Sequence, residues 1–156
     1  MLTITANLSQ SPAAIIRQML IDLGLGVNPA PDGQTAIPWS VFHSQEPDRP
    51  DECITVFTTE GTDDGRSMHD GDLWHHYGFQ VRLRSRDDKV GYAKGSLIRN
   101  TLAKGVYMRT VSIGTSVYQI QCIAKIRSVL PIGKEASATK RALFTINAVF
   151  WCIQTS

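Results

Sequence analysis

The chain has 156 residues, of which 42% are hydrophobic and 19% are charged. This length and this share of apolar residues are typical of one globular domain with its own core, and they exclude a disordered chain. No stretch approaches the roughly 18 apolar residues of a membrane helix, and residues 1–10 lack the basic start and apolar run of a signal peptide. We therefore expect a single domain over residues 1–156, synthesised in the cytosol, with no membrane partner.

The charges are divided unevenly along the chain, although the formal net charge is only +2. Residues 1–81 hold 3 Lys/Arg and 11 Asp/Glu, a balance of −8, whereas residues 82–156 hold 13 Lys/Arg and 3 Asp/Glu, a balance of +10. Such asymmetry is compatible with nucleic-acid contact by the basic half. It is equally compatible with contact between the two halves, either within one chain or between neighbours in a head-to-tail ring.

The first third of the sequence predicts one helix followed by two strands. Ser11 and Pro12 suit the start of the helix, and Gly24 and Gly26 suit its end. Its apolar stripe consists of Ile15, Ile16, Met19, Leu20 and Leu23. The rest of this part divides into a loop (27–36), a short strand (38–43), an acidic surface connection (45–52) and a buried strand (53–58).

The middle of the chain predicts an acidic loop, a strand and a second helix. Residues 60–72 combine glycines with five acids, which is typical of a mobile loop. In the strand that follows, Leu73–Arg86, apolar and polar residues alternate. Asp87 or Asp88 then caps a helix that ends at Gly105 and whose period is set by Val90, Lys94, Leu97, Ile98 and Leu102.

The last third of the sequence reads entirely as strands. The pattern predicts a short strand at 108–113, a long strand at 118–130, a turn at 131–140 and a returning strand at 141–153. Arms of this length exceed the usual 5–6 residues of a strand, so this C-terminal β-hairpin can project past the domain to a neighbour. The element order therefore predicts an α+β fold, with two helices packed on one side of a mostly antiparallel sheet.

Histidines and acids cluster in the middle of the chain without the spacing of a metal site. His69, His75 and His76 lie near Asp70 and Asp72. His75 and His76 are adjacent on a predicted strand, so their side chains point to opposite faces and cannot converge on one ion. We therefore predict no metal ligand and interpret these histidines as the surface of a strand end.

Catalytic motifs are also absent from the sequence. The pairs Asp63-Asp64 and Asp87-Asp88 fit a solvated loop and a helix start better than acid–base catalysis. Cys53, Cys122 and Cys152 lie in apolar runs, which suits buried thiols in a reducing compartment and not a reactive thiolate. Without a G-x-S-x-G or G-x-G-x-x-G motif, we predict no catalytic residue, no cofactor and no enzymatic activity.

Three arginines alternate along the predicted strand at 73–86, at Arg82, Arg84 and Arg86. With Lys125 and Arg127 they can form a basic sheet face, which would contact phosphate or an acidic neighbour, or would simply be solvated. Aromatic residues that stack on bases do not interleave with them. We therefore predict a subunit interface between these cations and the acidic loop of the next copy, which supplies Glu60, Asp63, Asp64, Asp70 and Asp72.

The layout of the middle of the chain resembles a known family. An acidic, proline-containing segment, Phe42–Pro47 and Pro50–Glu52, precedes the strand Cys53–Thr58 and then Thr59-Glu60-Gly61. A Gly/Asp-rich loop, the strand Phe79-Gln80-Val81-Arg82-Leu83-Arg84-Ser85 and a helix follow. In this order and spacing, over residues 11–155, the chain resembles the bacteriophage tail terminator or minor capsid (neck) proteins.

The resemblance implies a structural virion protein without an active site. Such a protein forms a ring, expected to be a hexamer, which ends the tail tube and joins the tail to the neck and head. Its implied partners are further copies of itself, the tail tube protein and a neck, head-completion or connector protein, with passing contact to genomic DNA. The implied location is the virion, after synthesis in the host cytoplasm. Another head–tail connector or head-completion protein, or a nucleic-acid-binding module, remains an alternative.

Overall fold

The computed structural model describes residues 8–66 and 73–155, and the side chains in these ranges except those of residues 64–66, 73 and 74. Its elements run in the order α1 (Pro12–Asp22), β1 (Ser40–His43), β2 (Cys53–Arg66), β3 (Leu73–Ser85), α2 (Asp88–Gly105), β4 (Tyr107–Ile113), β5 (Ser116–Ala124), β6 (Leu130–Lys134) and β7 (Ala142–Gln154). This arrangement of helices and strands confirms the predicted α+β class.

All of these strands belong to one sheet with the order β1-β2-β3-β7-β5-β4, and β6 pairs with β7 beside β5. β1 and β2 are parallel, and every other pair is antiparallel. β7 is a central strand, because it pairs with β3 on one side and with both β5 and β6 on the other. Its alternate side chains from Ala142 to Cys152 are all buried, as the sequence predicts.

Helix α1 begins and ends close to the predicted positions. The Ser11 hydroxyl accepts a hydrogen bond from the Ala14 N–H, and Pro12 occupies the first turn, where its missing N–H has no cost. Gly24 follows with φ +72°, a conformation that glycine adopts without strain. The buried stripe of the helix packs over β1, β2, β3 and β4. This packing forms one side of the hydrophobic core.

Helix α2 has the predicted ends but a different buried face. Asp87 caps it by accepting hydrogen bonds from the N–H groups of residues 89 and 90. The helix packs on β3 and β7 through Gly91, Gly95, Ile98 and Leu102, while Val90 and Leu97 are about half exposed. The predicted apolar period was therefore wrong at these two positions. Glycine permits an approach of helix to sheet that the larger apolar residues would prevent.

The predicted strand over 118–130 is in fact two strands. β5 ends at Ala124, and Lys125 has φ +51°, which ends the extended conformation. β6 begins at Leu130, within what the sequence predicts as the end of the strand and the turn. The predicted projecting hairpin is also wrong, because β7 lies inside the sheet and cannot leave it without losing its pairing with β3.

The hairpin that extends past its neighbours is formed by β2 and β3. Residues 60–66 are part of β2 and pair with the start of β3, so the predicted loop is wrong for this segment. Residues 67–72 lie outside the described residues. β1 covers β2 only at Cys53–Val56, and β7 reaches β3 only from Tyr77 onward. Within the described residues, the strands at 60–66 and 73–76 therefore pair only with each other, and we call them the acidic extension.

In the described part of the chain, no helix is long and apolar enough to cross a membrane.

Candidate functional site

Two buried arginines lie on the sheet face opposite the helices. Arg141 is 5% exposed, and its Nε lies 2.6 Å from Glu135 Oε2 and its Nη1 3.0 Å from Asp51 Oδ1. Arg84 is 2% exposed, donates to the carbonyl of Pro50 at 2.8 Å and lies 3.5 Å from Glu135 Oε1. A buried charge requires such partners, because the interior solvates it poorly. Glu135 therefore forms ion pairs with both arginines.

The electrostatics of Glu135 follow from this position. Burial alone would raise the pKa of its carboxyl group, but the hydrogen bond and charge of Arg141, with the charge of Arg84, outweigh burial and hold that pKa below its ordinary value. For Arg141, burial would lower the pKa, and the bonds to Glu135 and Asp51 raise it instead. Both groups are therefore held in their charged forms.

The other predicted strand arginines also have acidic partners inside the chain. Arg86 Nε lies 2.6 Å from Asp51 Oδ2, and Arg82 Nε lies 3.8 Å from Glu46 Oε1. These acids come from the connection at 45–52, which folds over the end of the sheet, and not from residues 60–72. Arg82, Arg84 and Arg86 are thus brought together on one face, but that face is partly covered by the chain itself.

Beside this network lies an open groove of about 500 Å³. Its lining includes Asp48, Arg49, Asp51, Arg86 and Arg141. Since Asp51 already lies against Arg86 and Arg141, two of the three arginines in the lining are paired, and the groove holds no concentration of free cations. Its chemistry is therefore that of a structural ion-pair network, which does not favour phosphate binding.

The acidic extension places predicted interface acids at one end of the sheet. Glu60 and Asp63 are exposed, and the carboxylate of Asp63 contacts Nδ1 of His75 across the hairpin. The backbone of Asp64 lies in β2, and Asp70 and Asp72 lie outside the described residues. The extension is therefore acidic along its exposed part.

The opposite edge of the sheet is basic. Lys125 and Arg127 are exposed, and within the described residues neither forms an ion pair. They follow β5, whose Cys122 pairs with Tyr107 at the start of β4. Residues 89–134 contain no Asp or Glu; their cations are Lys89, Lys94, Arg99, Lys104, Arg109, Lys125, Arg127 and Lys134. The Arg127 N–H donates to the carbonyl of Asn147 in β7, so residues 125–127 lie beside β7, beyond the start of β4. We call β4 together with residues 125–127 the basic edge.

Groups for other chemistry do not converge in the part of the chain that the structure describes. No three side chains of His, Cys, Asp or Glu there lie close enough to hold a metal ion. The cysteines are free thiols, and burial raises the pKa of Cys53 to about 11 and that of Cys152 to about 12. At neutral pH these two thiols are protonated and are poor nucleophiles. What distinguishes the surface is its charge, acidic at one end of the sheet and basic at the other.

Comparison with protein families gives this surface a context. The model of one family, described as bacteriophage tail terminator protein, matches residues 19–149. The chain belongs to the bacteriophage tail terminator family. The resemblance in the sequence is thereby confirmed, and membership indicates a structural component of the phage tail. No curated protein matches the chain.

Sequence reasoning missed the residues that hold the arginine network. The sequence pattern places Arg141 at a strand start, Glu135 in a turn and Asp51 in a surface connection. A signal for this network was present, because the acids at 46–52 outnumber the single arginine there. The sequence pattern does not show which distant segments meet in the fold, and Asp51 and Arg141 are 90 positions apart.

Proposed function

We propose that the chain is the subunit of a ring, expected to be a hexamer, that ends the tail tube and joins the tail to the neck. Family membership supports a role in the tail. The observation that carries the ring is the opposite charge at the two ends of one sheet. A head-to-tail ring brings two different surfaces of identical subunits together, and complementary charge favours and orients such a contact.

In this proposal, the acidic extension of one subunit contacts the basic edge of the next. Glu60 and Asp63 would face Lys125 and Arg127, which belong to the predicted interface set. Asp64, Asp70 and Asp72 would add negative charge from the same segment. Arg84 is a poor choice for this contact, because it is buried and paired within its own chain. Arg82 and Arg86 would lie at the margin of the contact, beside their own acidic partners.

The test is the solution mass, measured by light scattering with and without tail tube. A discrete ring-sized species, or a monomer that forms rings when tail tube is added, is expected. The double variant Lys125→Glu/Arg127→Glu should weaken assembly at least tenfold, and adding Glu60→Lys and Asp63→Lys should restore it. Lys89→Glu/Lys140→Glu is the matched control, since both lysines are exposed and the charge change is the same. A ring that forms equally well in both double variants would contradict this interface.

The acid-free stretch at 89–134 also favours a second candidate, contact with the backbone of DNA that passes through the neck. Phosphate contacts release counterions, so the logarithm of the binding constant would fall steeply and linearly with the logarithm of the salt concentration. A chain that stays monomeric with tail tube but binds DNA with this salt dependence would favour a nucleic-acid module. Binding to a connector or head-completion protein without binding to tail tube would favour another neck component.

A further inference from the structure

We propose that neighbouring subunits join by β-strand pairing. The outer edge of β4 in one copy would form hydrogen bonds with the outer edge of β2 in the next copy, from Thr58 into the acidic extension. This inference rests on the proposed ring and adds which groups would join its neighbouring subunits. It concerns main-chain groups, whereas the proposed function concerns charge. The partner is a second copy of this chain.

β4 presents main-chain groups that its own chain leaves open. β4 and β5 are joined by the two-residue turn at Gly114 and Thr115, and Ile113 pairs with Ser116. In such a hairpin the flanking pair is hydrogen-bonded and the bonded pairs then alternate. The N–H and C=O groups of Thr110 and Ser112 therefore point away from β5. Both residues are exposed, and no hydrogen bond from their main chain occurs within the described residues.

The outer edge of β2 is open in the same way beyond the end of β1. The Val56 carbonyl accepts from the Ser44 N–H, so the main chain of Val56 faces the β1 side. Two residues further on, Thr58 faces the same side, where β1 has ended and the strand is exposed. The open segment of β2 begins here and continues into the acidic extension, where the register with β3 shifts between Thr59 and Thr62 and again between Asp63 and Arg66.

Two other strand edges in the described part of the chain, those of β1 and β6, are blocked. Along β1, Val27 bonds with Trp39 and Val41, and the Arg17 guanidinium donates to the Val41 carbonyl at 2.8 Å. β6 has only five residues and includes Pro131, which has no N–H and is typical of edges protected from pairing. By contrast, β4 has no proline and keeps a regular register from Arg109 to Ile113.

The positions and charges of the two open edges fit each other. β4 is the last strand at one end of the sheet, and the open part of β2 lies at the other end. Pairing them between copies makes a heterologous contact, which closes a ring when the rotation allows it. It also brings Glu60 and Asp63 toward the cations of the basic edge, so backbone pairing and charge favour the same neighbour.

The test removes one outward N–H from β4 without touching its pairing with β5. Thr110→Pro and Ser112→Pro should each reduce assembly at least tenfold in light scattering, because proline cannot donate. The monomer should keep its circular dichroism, since neither N–H has an internal partner. Thr110→Ala and Ser112→Ala are the matched controls, which lose the side chain but keep the N–H, and they should assemble normally.

Amide hydrogen exchange of the unmodified protein provides a second measurement. The outward amides of Thr58, Thr110 and Ser112 should exchange freely in the monomer and become protected at least tenfold in the ring. Rings that form with both proline variants, or that show no new protection of these amides, would overturn strand pairing but would not contradict the proposed ring. Protection of the Thr110 and Ser112 amides already present in the monomer would also overturn it. The absence of any assembly, even with tail tube, would instead overturn the proposed function.

Discussion

Glu135 is the residue on which the two buried arginines depend. Its carboxylate contacts both Arg84 and Arg141, and its pKa is held below the ordinary value of 4.5. A carboxyl group whose pKa is depressed by folding stabilises the fold above its unfolded pKa, and that contribution is lost as the pH falls through its folded pKa. Acid should therefore loosen this part of the sheet specifically.

At the residue scale, we predict that Glu135→Gln lowers the free energy of unfolding by about 3 kcal/mol at pH 7, because two buried cations lose their carboxylate. Below pH 4.5 the carboxyl group of the unfolded chain becomes protonated, so the difference between the two proteins should begin to shrink, and it should go on shrinking as the pH falls through the lower pKa of the folded state. Urea denaturation at pH 7 and pH 3 measures both effects. Glu60→Gln, an exposed acid, is the control and should change stability little. A difference that stays constant with pH would contradict the role assigned to Glu135.

At the scale of elements, the two glycines on the inner face of α2 set how closely the helix approaches the sheet. A Cβ at Gly91 would lie 2.6 Å from Cε2 of Phe144, and one at Gly95 would lie 2.9 Å from Cγ1 of Val129. Phe144 is buried between the helix and the sheet and cannot move aside. Close packing thus outweighs the low helix propensity of glycine.

We predict that Gly91→Ala destabilises the protein by about 1–3 kcal/mol, because overpacking exceeds the gain in helix propensity. Gly105→Ala is the matched control in the same helix. Its Cβ would meet only Thr101 Cγ2, at an ordinary 3.6 Å. Thermal unfolding followed by circular dichroism should show a lower Tm for the first variant and an equal or higher Tm for the second. A stabilised Gly91→Ala protein would contradict the observed approach of helix to sheet.

At the scale of the whole molecule, charge is separated along the sheet and not scattered over the surface. The net charge of +2 conceals this separation, because the −8 of residues 1–81 and the +10 of residues 82–156 nearly cancel. Exposed charges act over about 10 Å at 0.1 M salt and about 3 Å at 1 M. Electrostatic attraction between subunits should therefore depend strongly on ionic strength.

We predict that the average mass of the assembled protein falls as salt rises from 0.1 to 1 M, while the monomer keeps its fold. The expected weakening of association is at least tenfold, and light scattering at fixed protein concentration measures it. Sucrose at matched osmolality serves as the control for non-ionic solute effects. Assembly that strengthens with salt would indicate a hydrophobic contact instead.

The sequence alone determined the features that depend on near neighbours in the chain. Ser11, Pro12 and Asp87 mark helix starts because capping acts within one turn. The alternation from Ala142 to Cys152 predicts a buried strand face because side chains of a strand alternate. The order of motifs over residues 11–155 also indicated the family, and the charge of each half could be read directly.

The tertiary structure alone decided the features that join distant segments. The partners of Arg84 and Arg141 come from residues 48–51 and from Glu135, and chain periodicity carries no information about such distances. The same holds for the extension of β2 past Thr59, which pairing with β3 imposes on a glycine- and acid-rich sequence. It holds equally for the glycine face of α2, where contact with Phe144 sets the orientation of the helix. Local pattern thus fixes the helix starts and the alternating strand faces, and packing across the sheet fixes how far each strand extends and which side chains meet.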